Sequence, residues 1–160
     1  MNKLQSIVAY LCSEYPYKSE LSNARLTKLV YLADWFSSLV DGKPITTINW
    51  LFNHYGPYVD DVVESIRNTS EFSIECEQNI YGATKNVISF GGDSSQIKLS
   101  SREKNILNVV IDKTKSLYFN DFIDYVYSTY PVKSQERYAT LNLEFLAKEY
   151  KQKNATLSVA

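Results

Sequence analysis

From residue 23 to 41 the chain reads NARLTKLVYLADWFSSLVD, without a proline or glycine and apolar on more than one side. Leu26, Leu29, Val30, Ala33, Phe36 and Val40 recur at helical spacing, and Leu32, Trp35 and Leu39 widen the stripe around the flank. A helix apolar over so broad an arc has to be wrapped by other elements. Ser22 or Asn23 is placed to cap its start, and Gly42 stands where a left-handed residue ends a helix. The chain has 160 residues, 44% hydrophobic and 22% charged, enough apolar material for one domain around such a helix.

The flanking segments supply the wrapping. Leu4, Ile7, Val8, Leu11 and Tyr15 form a helical stripe that stops at Pro16. KPITTIN is a connector into WLF, a short turn or strand. In HYGPYVDDVVESIRN, Pro57 is expected as the first helical residue, with Val59, Val62, Val63 and Ile66 facing inward and Asp60 and Asp61 in the first turn. FSIECE and NVISF alternate around the turn NIYGATK, which reads as a β-hairpin followed by a flexible GGDSS loop. Ser100 and Glu103 form a capping box ahead of NILNVVID. Phe119, Phe122, Ile123, Val126, Tyr127 and Tyr130 make a stripe expected to stop at Pro131, and a last helix is expected over roughly 137–151. The expected fold is α+β: a mostly helical single domain over 1–151 with a small antiparallel hairpin or sheet, and 152–160 as a frayed tail.

Charge narrows the function classes. Seventeen basic and eighteen acidic residues leave a net charge of −1, against the basic excess of most domains that grip a nucleic-acid backbone. Cys12 and Cys76 have no partners at metal-ligand spacing, and a lone histidine cannot complete a structural zinc set. The N-terminal residues do not read as a signal peptide, and no run of apolar residues is long enough to span a membrane. A cytoplasmic protein is expected.

The densest chemistry lies in FNHYGPYVDDV, which holds His54, Tyr55, Tyr58, Asp60 and Asp61. A hydrolytic site would need a nucleophile beside the histidine, and no Ser or Cys stands in a recognisable elbow. Asp60 and Glu64 share a helix face at i, i+4, but a third carboxylate would have to come from elsewhere to hold a hard cation. Gly91-Gly92 precedes Asp93 and builds no phosphate cradle. No catalytic residue, metal or cofactor is therefore expected. Arg102, Lys104, Lys113 and Lys115 concentrate basic charge on one helix, as a recognition helix does. A DNA-binding regulator with a winged-helix-like element is accordingly the alternative reading, although solvated charged faces are commoner.

The order of motifs resembles a known family. Lys28 to Asp34 (KLVYLAD), Gly42 to Thr46 (GKPIT) and Trp50 to Pro57 (WLFNHYGP) are similar to the Panacea antitoxin domain, also called SocA-like or GepA-like. The L-S-x-x-E helix start and the later helix ending at a proline continue the likeness through most of residues 3–150. The chain departs from the pattern in V-D-D-V, which follows Y-G-P where many relatives place another proline. The resemblance implies an antitoxin that neutralises a protein toxin by direct contact, with the toxin encoded by an adjacent gene and phage defence as a setting. It carries over no catalytic residue and no cofactor.

Thirteen tyrosines in a nearly neutral chain suit a protein-binding surface. The candidate contacts are Trp50, Tyr55 and Tyr58 as aromatic anchors, His54 beside them, and Asp60 and Asp61 as charge partners. For Trp50 a place in the core is the competing expectation.

Overall fold

Asn2 opens the first helix, α1 (Lys3–Glu14), with a reciprocal cap: its side chain accepts from the Gln5 N–H while the Gln5 side chain accepts from the Asn2 N–H. The structure is a computed structural model that describes residues 1–78 and 80–159, with side chains to residue 155. Two units divide it, Met1–Val30 with Asp60–Ser116, and Tyr31–Val59 with Leu117–Ala160. The long helix α2 (Asn23–Asp41) has the bounds read from the sequence, and Gly42 follows it at φ +77°. The fold is α+β, mostly helical with small antiparallel sheets.

In the first unit α1 and the start of α2 are joined by α3 (Asp61–Ile66), the hairpin β3–β4 (Phe72–Gln78 and Thr84–Phe90) and α4 (Ser101–Thr114). Ile7, Leu11, Leu26, Leu29, Val62, Ile88 and Leu107 are buried among them. The capping box of Ser100 and Glu103 forms as expected, and Glu103 also takes an ion pair from Lys3. Arg25 is fully buried, where its guanidinium donates to the Tyr15 hydroxyl and the Thr114 carbonyl. That pairing makes burial of a charge tolerable. The GGDSS segment is not a loose loop, because Asp93 caps a single 3-10 turn over Ser94–Gln96.

The second unit holds the rest of α2, the strands β1 (Trp50–Asn53), β2 (Gly56–Tyr58) and β5 (Thr140–Leu141), and helices α5 (Phe119–Tyr127), α6 (Tyr130–Ser134) and α7 (Leu143–Val159). The sheet order is β2-β1-β5, with Phe52 opposite Pro57 and Trp50 opposite Leu141. Trp35 stacks on Tyr130 and meets Tyr150 edge-on.

Four local expectations are corrected. Pro57 does not start a helix; it lies in β2 at the edge of the sheet, where a missing N–H is tolerated, and α3 begins four residues later. Pro131 does not end a helix but stands in the first turn of α6. The last helix starts at Leu143 rather than near 137, because 138–141 pair with β1, and its backbone stays helical to Val159 through the segment expected to fray. Val40, placed on the inward stripe of α2, is 71% exposed, while Asp34, Ser37 and Ser38 are buried.

Candidate functional site

The buried polar run on α2 organises the second unit. Asp34 is fully buried, and its carboxylate gathers four donors. Oδ1 accepts from the backbone N–H groups of Ile45 and Thr46, each at 2.9 Å. Oδ2 accepts from the Thr46 hydroxyl and, at 2.9 Å, from the indole N–H of Trp50. Ser37 donates to the Lys43 carbonyl and Ser38 to the Asp34 carbonyl. Burial pushes the Asp34 carboxyl above the usual carboxylate range, and the bonds from Thr46, Trp50 and Ile45 pull against that shift. The GKPIT connector is thus folded back onto α2 by one side chain. Six residues before Asp34, on the part of α2 in the first unit, buried Lys28 has its ammonium lowered to about 8 by desolvation.

From Trp50 the chain enters the β1–β2 hairpin, which turns at His54 and Tyr55. The Asn53 side chain accepts from the Tyr55 N–H, and Gly56 takes φ +91°. A Cβ on Gly56 would lie 3.2 Å from the Tyr127 hydroxyl, so the glycine serves both the positive φ and the close approach. The Y-G-P signature runs from the turn of this hairpin, at Tyr55, into β2, at Gly56 and Pro57.

The six candidate residues part company here. Trp50 is 1% exposed and edge-on to Tyr31, so it is a core residue that presents no surface to a partner. His54 and Tyr55 are exposed at the turn, their rings edge-to-face at 4.9 Å, and Tyr55 is 72% exposed. Tyr58 is half-buried and lies across from Leu51, which is also in register with Thr140. Asp60 and Asp61 are exposed at the start of α3 and belong to the other unit. Glu64, the imagined metal partner of Asp60, instead pairs with Arg67 at 3.3 Å. Among the described residues no three His, Cys, Asp or Glu side chains come together as a metal set. At the end of α4, Lys115 pairs with Asp112 at 3.4 Å.

Two features near the hairpin were not foreseen. Tyr138 is 68% exposed and adopts φ +73°, a left-handed backbone unusual for a bulky residue, with its N–H donating to the Phe52 carbonyl. A cleft of about 290 Å³ is lined by Pro44, Thr46, Ile48, Thr140, Asn142 and Glu144 among others. Its polar groups are hydroxyls, amides and one carboxylate. The unbroken short pairing of β5 with β1 left too brief an alternation to be found by pattern.

No described helix is long and apolar enough to cross a membrane. A family model described as "Antitoxin SocA-like, Panacea domain" matches residues 26–131, more than half of the chain. No curated protein and no solved structure matches it.

Proposed function

Because the chain belongs to the SocA-like Panacea antitoxin family, we propose that it is the antitoxin of a toxin–antitoxin pair and neutralises its toxin by direct protein–protein contact, with no chemical step of its own. The family match over 26–131 carries this reading. The placement of the motif residues supports it: Asp34, Thr46, Trp50 and Gly56 build the frame, which leaves recognition to what the frame holds outward. His54 and Tyr55 at the β1–β2 turn are held outward by that frame, and exposed aromatic residues at a rigid turn are effective anchors. Asp60 and Asp61 add negative charge suited to a basic partner.

The toxin is expected from an adjacent gene in the bacterial or phage genome that carries this one, and phage defence is the setting in which the pair would act. The test is to express each neighbouring open reading frame alone and together with this protein. One of them should arrest growth alone, and co-expression should restore it. Neighbours that are all harmless, or toxicity that persists on co-expression, would overturn the reading. Tyr55→Ala should leave the fold intact and weaken the purified toxin complex by about tenfold or more, measured by calorimetry.

A further inference from the structure

The β3–β4 hairpin has one edge held and one edge open. Among the described residues β3 pairs only with β4. Beyond Phe72 every β3 residue is exposed, Ile74 by 37%. The far side of β4 is tied down: the Ile88 N–H donates to the Leu21 carbonyl at 2.9 Å, and Ser22 bridges Val87. That bond sets the phase of the ladder. In an antiparallel pair, facing residues alternate between those that exchange bonds and those whose N–H and C=O point away. Ile88 points away from β3, so its partner Ile74 points away from β4, and so does Cys76 opposite Asn86. The backbone groups of Ile74 and Cys76 therefore line an open strand edge, the template on which another strand adds.

The same alternation sorts the side chains. Ile74 and Cys76 share a face with Phe72 and the buried Ile88. Glu75 and Glu77 occupy the opposite face, across from Val87 and Lys85. Two copies of this edge would bring carboxylates against carboxylates, which disfavours self-pairing. A strand with lysine or arginine at every second position sets its cations beside Glu75 and Glu77 and its apolar side chains beside Ile74 and Cys76. We propose that the open edge of β3 is a docking site for an extended segment of alternating apolar and basic residues in the protein partner. The inference rests on the antitoxin reading for who that partner is, and on the edge itself for what the segment looks like.

The probes are two short capped peptides, one alternating valine with lysine and one alternating valine with glutamate. Cys76 is exposed, so its alkylation rate reports cover of the edge; amide exchange at Ile74 and Cys76 reports strand pairing. The lysine peptide should slow alkylation several-fold and protect both amides. The glutamate peptide should bind roughly fivefold to tenfold more weakly, the size expected of two exposed cross-strand charge pairs. Glu75→Lys with Glu77→Lys, both surface changes, should invert that preference. Equal binding of both peptides, no protection by either, or protection confined to other residues overturns the proposal. In cells, Cys76→Pro removes an outward N–H without touching the ladder to β4. It and the double charge reversal should both lose neutralisation of the toxin. If both neutralise like the parent chain, the docking site is wrong and the antitoxin reading stands. If the parent chain neutralises no neighbour, the antitoxin reading falls while the peptides still decide the edge.

Discussion

The β1–β2 and β3–β4 hairpins are both antiparallel pairs with aromatic residues, yet they meet opposite fates. In the first, β5 pairs along one side of β1, and Trp50, Phe52, Gly56 and Pro57 are buried. In the second, the buried residues are Phe72 and Ile88, at the end nearest the core, and the rest of the arm is exposed or half-buried. The first hairpin is anchored by a polar knot, with a buried carboxylate reaching the Trp50 indole. The second is anchored by two backbone links to Leu21 and Ser22. Strand pairing thus serves as framework in one place and leaves a surface in the other, and the difference lies in what covers the edge.

The sharpest way to probe that contrast is through the two cysteines, one at each end of the second hairpin's environment. Cys12 is buried against the Ile88 carbonyl, and desolvation raises its thiol to about 12. Cys76 stands exposed on the open strand. In the native protein at neutral pH, alkylation should modify Cys76 alone, because burial leaves Cys12 with on the order of a thousandth of an ordinary thiol's thiolate, before shielding is counted. Mass spectrometry should show the second adduct only after denaturation; rapid double labelling would mean that the anchored end opens.

Removing the knot comes next in size. Asp34→Asn keeps the shape but replaces one acceptor oxygen with a donor, which then faces either the Thr46 hydroxyl and the Trp50 indole or the backbone N–H groups of Ile45 and Thr46. Unfolding in urea should show a loss of ~2–4 kcal/mol, the cost of leaving buried donors unmet. An unchanged midpoint would show that the connector is held by something other than this carboxylate. Gly56→Ala should cost less, ~1–2 kcal/mol for a left-handed backbone, with some addition as the Tyr127 ring gives way. The same measurement checks it, and a neutral result would mean that the turn relaxes freely.

Much of the helical part was legible in the sequence. Asn23–Asp41 and Ser101–Thr114 are long, periodic and bounded by caps or glycine, so local preference and tertiary need agree. The β3–β4 hairpin was legible for a similar reason, since alternation on both sides of a turn has one simple solution. Pro57 misled because a fixed φ suits both a helix start and an edge strand, and only the pairing with Phe52 separates them. Of the proposed contacts, Trp50 was resolved by burial: its indole finds a buried acceptor, which sequence alone does not show. Tyr138 carried no signal, because its backbone conformation is imposed by the bond to Phe52.

By itself the sequence determined the long buried helix, the two alternating strands that pair as a hairpin, the caps, and the order of motifs that marks the family. These depend on neighbours a few residues apart, where periodicity and side-chain chemistry speak directly. The tertiary structure decided which polar residues of α2 turn inward, that Y-G-P leads from a hairpin turn into an edge strand, and which strand edge is left open. Each of these depends on a partner distant in the chain. A carboxylate is buried only where four donors meet it, and an edge stays open only where nothing arrives to pair with it.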